Sequence, residues 1–213
     1  GGDPAAKTGF HEVNERRFFA NSLGMQFVQL PGGDAWLGVW ETRVADYAVS
    51  ASATTNGWQA AWFQDTDRHP AVNVQWDDAQ AFCAWLSRRE RESGLLADDE
   101  GYRLPTSSEW TAALDQAEPT DSGNFGPQLG SESFDRTSPV SSFPANALGL
   151  HDLRGNVWEW CTAWPSEEGV GRILRGGGWR DAATDRELIV TPKVSAEDYG
   201  FRCILVLKQP AGP

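Results

Sequence analysis

The spacing of apolar residues along this chain predicts short elements of both kinds. Residues 26–30 alternate polar and apolar side chains, as in a strand, and residues 35–42 follow a Pro-Gly-Gly turn as its hairpin partner. Residues 77–92 form the clearest helix, because apolar side chains recur at helical spacing on one face and an Asp can cap the first turn. Residues 44–51 favour a shorter helix, and residues 102–105 an extended segment.

In the second half of the chain the apolar residues recur less regularly. Thr106 and Glu109 form a capping-box pattern, so we expect a second helix to begin there. Strands are expected at residues 172–175 and 201–207. Residues 116–145 have almost no periodicity and much Gly, Ser and Pro, so on composition alone they resemble a linker between two domains.

A length of 213 residues suits one large domain or two small ones, with room for a sizeable core. Residues 1–20 are interpreted as a polar N-terminal leader, residues 21–207 as the folded domain and residues 208–213 as a C-terminal tail. No run of 18 apolar residues and no basic-then-apolar N-terminal segment is present, so we expect a soluble protein without membrane insertion or a signal peptide. The sequence does not indicate the cellular compartment.

Charge and cysteine content exclude several classes of function. A net charge of -12 argues against a nucleic-acid partner and against an anionic membrane surface, since both need clustered Lys and Arg. Three cysteines without a Cys-x-x-Cys pair argue against a thiolate zinc site. Eleven Trp together with 22 Gly indicate a loop-rich fold whose loops are packed.

Residues 149–161 contain the densest candidate chemistry. Asp152 and Glu159 are carboxylates seven positions apart, with a Gly-Asn pair between them that can bend the backbone. A bent loop can turn both carboxylates and nearby carbonyls toward one point, as calcium requires. The alternative is that the two carboxylates cap turns or pair with Arg154 while the neighbouring Trp side chains pack.

Five further motifs accompany this stretch. In chain order they are HPAVNVQW at 69–76, AFCAWL at 81–86, YRLPTSSEW at 102–110, LRGGGW at 174–179 and GFRC at 200–203. In this order and at these distances the motifs resemble the sulfatase-modifying-factor family, whose founding member is the formylglycine-generating enzyme. The resemblance covers about residues 21–207. It implies an α+β, C-type-lectin-like fold with few helices, small antiparallel sheets and much irregular loop.

The same resemblance implies structural calcium and a close cysteine pair. One calcium site would use the side chains of Asp152 and Glu159 and the carbonyls of Gly155 and Val157. Residues 116–145 would then be a long ordered loop carrying another site, whose residues are Asn124, Phe125, Glu132 and Phe134. Cys83 and Cys203 would face each other and can be bridged.

Enzymes of the formylglycine-generating type bind copper through two cysteines that follow the Arg-Gly-Gly motif. Soft thiolates are the ligands that copper(I) requires. Here the two matching positions hold Asp181 and Arg186, and residues 179–186 contain no cysteine. We therefore expect no copper and no oxidase activity.

The remaining interpretation is a non-catalytic module that recognises a protein or a small ligand. Non-catalytic relatives occur as bacterial variable proteins and as recognition domains fused to bacterial protein kinases, so this domain is expected to work with other domains. In those relatives the segment after Arg-Gly-Gly lines the ligand surface. The matching ligand-facing residues are Trp179, Arg180, Asp181, Arg186, Glu187 and Tyr199. Two alternatives stay open: an oxygen-dependent sulfatase-modifying or other enzyme with non-standard residues, and a purely structural interaction domain of a larger chain.

Overall fold

The computed structural model describes residues 8–114, 123–126, 134–162, 171–181 and 186–208. Within these ranges the chain forms three helices: α1 (Val44–Thr54), α2 (Trp76–Glu92) and α3 (Ser107–Leu114). Its strands are β1 (Gly9–Val13), β2 (Arg16–Ala20), β3 (Gln26–Gln29), β4 (Ala35–Gly38), β5 (Gly101–Arg103), β6 (Trp158–Cys161), β7 (Arg172–Arg175), β8 (Leu188–Val190), β9 (Tyr199–Gly200) and β10 (Ile204–Val206). Few helices and short strands are what the sequence predicts. No described helix has the length and apolar composition needed to cross a bilayer.

The strands form two sheets. One has the order β1-β2-β3-β4-β10-β5 and is antiparallel throughout, so the last strand of the chain lies between β4 and β5. The other has the order β8-β7-β6-β9, and its β6–β9 pair is parallel. Of the predicted closing strand at residues 201–207, only Ile204–Val206 form a strand, β10, and the short strand β9 just before it belongs to the other sheet.

The structure corrects the predicted boundary between the N-terminal leader and the folded domain. Residues 9–20 form the β1–β2 hairpin at the edge of the six-stranded sheet, and β2 pairs with β3. Asn14 and Glu15 both have positive φ, of 50° and 63°, which is the geometry of a two-residue hairpin turn. The folded domain therefore includes these residues. Residues 1–7 and 209–213 lie outside the described ranges, and Lys208 is exposed.

The sequence pattern of α2 accounts for its packing and for its start. On α2, Ala79, Phe82 and Leu86 are buried on one face, packed in the main hydrophobic cluster with Tyr102 of β5. The expected acidic cap is Asp78, whose carboxylate accepts a hydrogen bond from the backbone N–H of Gln75.

The predicted capping box of α3 is present. The Glu109 carboxylate accepts the Thr106 backbone N–H at 2.9 Å, and the Glu109 backbone N–H donates to Thr106 Oγ1 at 3.1 Å. The same carboxylate also binds Arg103 of β5, at 2.6 Å. The box thus fixes both the start of α3 and its position against the sheet.

The fold brings Cys83 of α2 together with Cys203, which directly precedes β10. Their Sγ atoms lie 3.7 Å apart as free thiols, and both side chains are buried. Burial raises the pKa of the Cys83 thiol well above its ordinary value, and the hydrogen bond with Cys203 raises it further. The Cys83 thiol is therefore protonated at neutral pH, which makes it unreactive while the core stays closed.

Candidate functional site

The loop before β6 is bent by three residues in the left-handed region. Asp152, Gly155 and Asn156 have φ values of 57°, 78° and 60°. At Gly155 the bend also needs the missing side chain, because a Cβ there would lie 2.5 Å from the carbonyl oxygen of Asn124. The loop therefore turns sharply, as the Gly-Asn pair predicts, before the chain enters the buried strand β6.

Glu159 of β6 is the centre of a buried ion pair. Its carboxylate accepts two hydrogen bonds from the Arg202 guanidinium, at 2.7 Å and 2.6 Å, and a third at 2.9 Å from the indole N–H of Trp110. The side chains of Glu159 and Arg202 are both 0% exposed. A structural ion pair was one alternative for Glu159, but its partner is Arg202 of the GFRC motif and not Arg154.

Arg202 also joins separate parts of the fold. It donates to the carbonyl oxygens of Gly38, at the end of β4, and of His151, in the loop before β6, at 3.1 Å and 3.0 Å. One guanidinium thus connects both sheets and the bent loop.

Two more buried carboxylates lie near this pair. Glu41 accepts a hydrogen bond from Asn156 at 2.9 Å through one oxygen, and its other oxygen has no donor among the described residues. Asp152 accepts the backbone N–H of Ser141 at 2.7 Å, and its other oxygen is likewise without a donor there. Burial raises the pKa of Asp152 to about 6. Burial, with the nearby charge of Asp152, raises the pKa of Glu41 well above its ordinary value.

The cluster of Glu41, Asp152, Glu159 and Arg202, here called the buried acid cluster, holds three carboxylates and one guanidinium. An uncompensated buried carboxylate is costly, so it takes up a proton or attracts a cation. Glu41 was absent from the sequence-based candidates, and its place in an ordinary hairpin pattern gave no signal for it.

The predicted calcium ligands fit a cation only in part. Asp152 fits, since one buried oxygen has no hydrogen-bond donor in the described structure. Glu159 fits poorly, because Arg202 already binds both of its oxygens. Among the described residues no three His, Cys, Asp or Glu side chains are grouped closely enough to hold a metal ion. A calcium ion here would depend on Asp152 and on main-chain oxygens such as those of Gly155 and Val157.

The other predicted calcium set is described only in part. Glu132 lies outside the described residues. The Asn124 amide donates to the Arg136 carbonyl at 2.6 Å and to the Asn156 side-chain oxygen at 3.2 Å. The Phe125 side chain is buried, and the Phe134 ring packs edge-on against that of Phe143. Asn124 and Asn156 thus connect this segment to the bent loop.

Four of the six predicted ligand-facing residues lie close together. One oxygen of the Asp181 carboxylate accepts the indole N–H of Trp158 at 2.7 Å and the backbone N–H of Gly178 at 3.0 Å. These two bonds hold Asp181 in the turn that follows the glycine run. Trp179 donates through its indole N–H to the carbonyl of Glu197, at 3.4 Å.

Arg180 stacks on Trp179, with the guanidinium carbon 4.5 Å from the ring centroid. Both Arg180 and Arg136 donate to the same oxygen of Glu197, each at 2.8 Å. The Arg136 guanidinium also lies over three aromatic rings, those of Trp62, Phe63 and Trp179. Trp62 is 79% exposed and forms the outer end of this stack.

Asp198 and Tyr199 complete the group. Asp198 is 7% exposed, and burial raises the pKa of its carboxyl, with the charge of Asp181 acting in the same direction. Tyr199 packs edge-on against Trp160 at 5.7 Å. Burial and the charges of Asp198 and Asp181 raise the pKa of its hydroxyl.

The structure places Glu187 away from this group. Its carboxylate accepts a hydrogen bond from Ser107 at the start of α3 and pairs with Arg175 of β7 at 3.3 Å. Arg186 is exposed. Sequence reasoning missed five residues that the structure does bring to the group: Trp62, Arg136, Trp158, Glu197 and Asp198. Two of them carried a signal in the sequence: Trp62 lies in an aromatic-bearing loop, and Trp158 lies within the motif at 149–161.

Comparison with known proteins agrees with this architecture. Residues 10–207 match the Sulfatase-modifying factor enzyme 1-like domain. Formylglycine-generating enzyme of Thermomonospora curvata is 29% identical over 184 residues, covering 65% of this chain and 56% of that protein. Serine/threonine-protein kinase Pkn1 of Chlamydia trachomatis is 32% identical over 162 residues, covering 64% of this chain and 24% of that protein. Inactive C-alpha-formylglycine-generating enzyme 2 of Bos taurus is 33% identical over 173 residues, covering 67% of this chain and 52% of that protein.

The chain spans between 24% and 56% of the length of these three relatives. Among solved structures, PvdO from Pseudomonas aeruginosa has a TM-score of 0.64 at 21% identity, covering 90% of this chain and 83% of PvdO. Treponema denticola variable protein 1 has a TM-score of 0.61 at 23% identity, covering 92% of this chain and 97% of that protein. These likenesses confirm the expected α+β fold of C-type-lectin-like type. The chain belongs to the family of sulfatase-modifying factor enzyme 1-like domains.

Proposed function

We propose that this domain is a non-catalytic recognition module that binds its ligand at the group formed by Trp158, Trp179, Asp181, Asp198 and Tyr199, here called the Asp181 face. The observation that carries the proposal is the setting of Asp181. Its carboxylate is fixed by Trp158 and by the Gly178 backbone at the position where the family pattern has a copper-binding cysteine. A fixed carboxylate beside aromatic side chains is suited to binding and cannot replace a thiolate toward copper.

The distribution of thiols supports a role without copper. The chain has three cysteines, and all three lie in the hydrophobic core. Cys83 and Cys203 contact each other, and Cys161 is 0% exposed on β6. Burial raises the pKa of the Cys161 thiol well above its ordinary value, so it is a poor source of thiolate.

Two of the relatives favour the same role. One is named as an inactive formylglycine-generating enzyme, and another is a protein kinase of which this chain matches about a quarter. A domain of this kind attached to other domains would serve as their recognition element, in a variable protein or in a sensor of a bacterial kinase.

Selection from a peptide display library tests the proposed function. We expect enriched peptides to bind the wild-type domain and to lose binding roughly tenfold or more with Asp181→Ala, since a charge-assisted hydrogen bond is removed. Glu187→Ala is the matched control, because it removes a carboxylate that lies against α3 and β7. Enriched peptides that bind both variants equally would place the ligand surface elsewhere. Formylglycine production from a cysteine peptide by the copper-treated domain would contradict the non-catalytic assignment.

We also propose that a structural calcium ion binds beside Asp152, with the main-chain oxygens of Gly155 and Val157. The support is the excess of carboxylates in the buried acid cluster and the Asp152 oxygen that lacks a donor. Calcium at that position would also compensate the charge of Glu41.

Removal of calcium should lower the melting temperature. An ion present at 100 times its Kd stabilises the fold by about 2.7 kcal/mol, which corresponds to roughly 5–10 °C for a chain of this size. Melting with and without EGTA measures the change, and Asp152→Asn should abolish the dependence on EGTA. A wild-type domain whose melting ignores EGTA, together with an Asp152→Asn variant that melts higher, would show that the cluster holds a proton in place of the ion.

A further inference from the structure

A cleft of about 420 Å³ lies between the β1–β2 hairpin, residues 39–40 and residues 145–151. This volume is within the range of small-molecule sites in proteins. The lining of the cleft shares no residue with the Asp181 face or with the buried acid cluster. The cleft is therefore a candidate for a second, separate binding site.

The guanidinium of Arg16 reaches across one side of this cleft. Arg16 and Phe18 are two positions apart on β2, so they lie on one face of the sheet, and Arg17 between them lies on the other. A Cβ added to Gly149 would be 3.5 Å from Arg16 Nη1 and 3.3 Å from Phe18 Cζ. The Arg16 side chain thus extends from β2 to the backbone of residues 145–151.

The cleft is positively charged. Within the described ranges Arg16 pairs with no carboxylate, and no Asp or Glu lines the cleft, although the chain contains 30 of them. The acids nearest to the lining in sequence are Glu15, which is exposed in the hairpin turn, and Asp152, which belongs to the buried acid cluster. A guanidinium without a counter-charge is suited to binding an anion.

The other polar side chains of the lining can also bind a ligand. The side-chain amides of Asn14 and Gln26 form no hydrogen bond with any residue that the structure describes. His151 Nδ1 donates to the Phe143 carbonyl at 2.8 Å, which fixes the ring and leaves Nε2 without a partner in the same part of the chain. Three hydrogen-bonding groups are thus available besides Arg16.

Two aromatic rings form the apolar part of the cleft. Phe18 and Trp40 are partly buried and pack against core residues that include Leu37 and Leu150. The ring of His11 stacks on Phe18, with 5.7 Å between the centroids, and holds it from the side of β1. Aromatic walls beside a guanidinium are suited to a ligand that has a flat apolar body and an acidic group.

We propose that this cleft binds a small aromatic acid, with the acid group on Arg16 and the ring beside Phe18 and Trp40. The planar guanidinium can form two parallel hydrogen bonds with a carboxylate or a phosphate. The amides of Asn14 and Gln26 can donate to oxygens that Arg16 leaves free. The inference goes beyond the proposed function, since the Asp181 face takes no part in this site.

Titration with phenylacetate, followed by nuclear magnetic resonance, tests the site. We expect the backbone N–H resonances of Gly149 and His151 to shift as phenylacetate binds. Phenylacetamide has nearly the same shape without the charge, and we expect it to bind about tenfold more weakly, as for loss of a charge-assisted hydrogen bond. Phenyl phosphate is the third probe. Tighter binding of either acid than of the amide supports the inference, and the tighter acid identifies the acid group.

Two arginine variants locate the binding. Arg16→Gln should weaken phenylacetate binding roughly tenfold to a hundredfold, as expected when hydrogen bonds to a charged group are lost. Arg17→Gln is the matched control, because it removes the same charge from the opposite face of β2, where Arg17 stacks on Phe10 at 3.9 Å. We expect its affinity for phenylacetate to equal that of the wild type. Circular dichroism of each variant checks that it is folded.

Three results would overturn the inference. They are equal binding of phenylacetate and phenylacetamide, an Arg16→Gln variant that binds phenylacetate as tightly as the wild type, and resonance shifts confined to residues outside the cleft. None of these results would bear on the Asp181 face, which the display selection tests by itself.

Discussion

Replacement of Arg202 by methionine is expected to destabilise the domain by about 3–5 kcal/mol, since it leaves a buried carboxylate without its counter-charge. Glu159 would keep the Trp110 indole as a donor but lose both bonds to the guanidinium. The carbonyls of Gly38 and His151 would also lose the hydrogen bonds that Arg202 donates to them. Because domains of this kind have about 5–15 kcal/mol in total, the variant should unfold at much lower urea concentration.

Urea unfolding followed by circular dichroism measures this loss. Arg180→Met is the matched control, because it removes an arginine whose ion pair with Glu197 is half-exposed, and we expect a change within about 1 kcal/mol. The double variant Arg202→Met with Glu159→Gln should recover part of the loss, since the unpaired charge is gone. Wild-type stability in Arg202→Met would mean that Glu159 is not charged in the folded state.

Substitution of Gly155 by alanine is expected to cost about 2–5 kcal/mol, from two sources. The left-handed backbone, with φ of 78°, costs about 1–2 kcal/mol for any residue with a Cβ. The new Cβ would also lie 2.5 Å from the carbonyl oxygen and 2.9 Å from the carbonyl carbon of Asn124, and overpacking of this kind adds about 1–3 kcal/mol. Backbone atoms cannot rotate away as a side chain would.

Gly94→Ala separates the two sources. Gly94 has the same φ of 78°, but nothing lies within 4 Å of a Cβ placed there. We expect Gly94→Ala to show the backbone cost alone, so the difference between the two variants measures the contact with Asn124. Equal losses in urea unfolding would show that the loop before β6 can move away from residues 123–126.

The local signals in the sequence predicted the helices well. The apolar face of α2 and the capping box of α3 depend on residues within four positions of one another, so the chain itself carries the information. The bend at Gly155 and Asn156 was predictable for the same reason.

The β1–β2 hairpin was missed because its turn is Asn-Glu, where Asn-Gly is the usual signal. Its strands also carry charged residues, which suits an edge of the sheet but hides the alternation. Strand pairing at an edge is decided by the neighbouring strand, and a single sequence does not show that neighbour.

The residues that pair in the candidate site are far apart in the sequence and meet only in the fold. Arg202 lies 43 positions from Glu159, and nothing local distinguishes it from Arg154 as the counter-charge. Glu197 lies 17 positions from Arg180, and the two side chains meet only in the fold. Asp198 likewise reaches Trp158 only because β9 pairs with β6. The motifs marked the region, and the tertiary pairing selected its residues.

The position of β10 in the sheet has a consequence for the order in which the domain can form during synthesis. β4 and β5 have no contact as strands without β10, which lies between them and ends at Val206. Arg202 precedes that strand by two residues, so Glu159 has no counter-charge until the same segment is made. A growing chain that has not reached Val206 therefore lacks both the strand that joins β4 to β5 and the counter-charge of Glu159, so the domain completes its fold only after this last segment has been made.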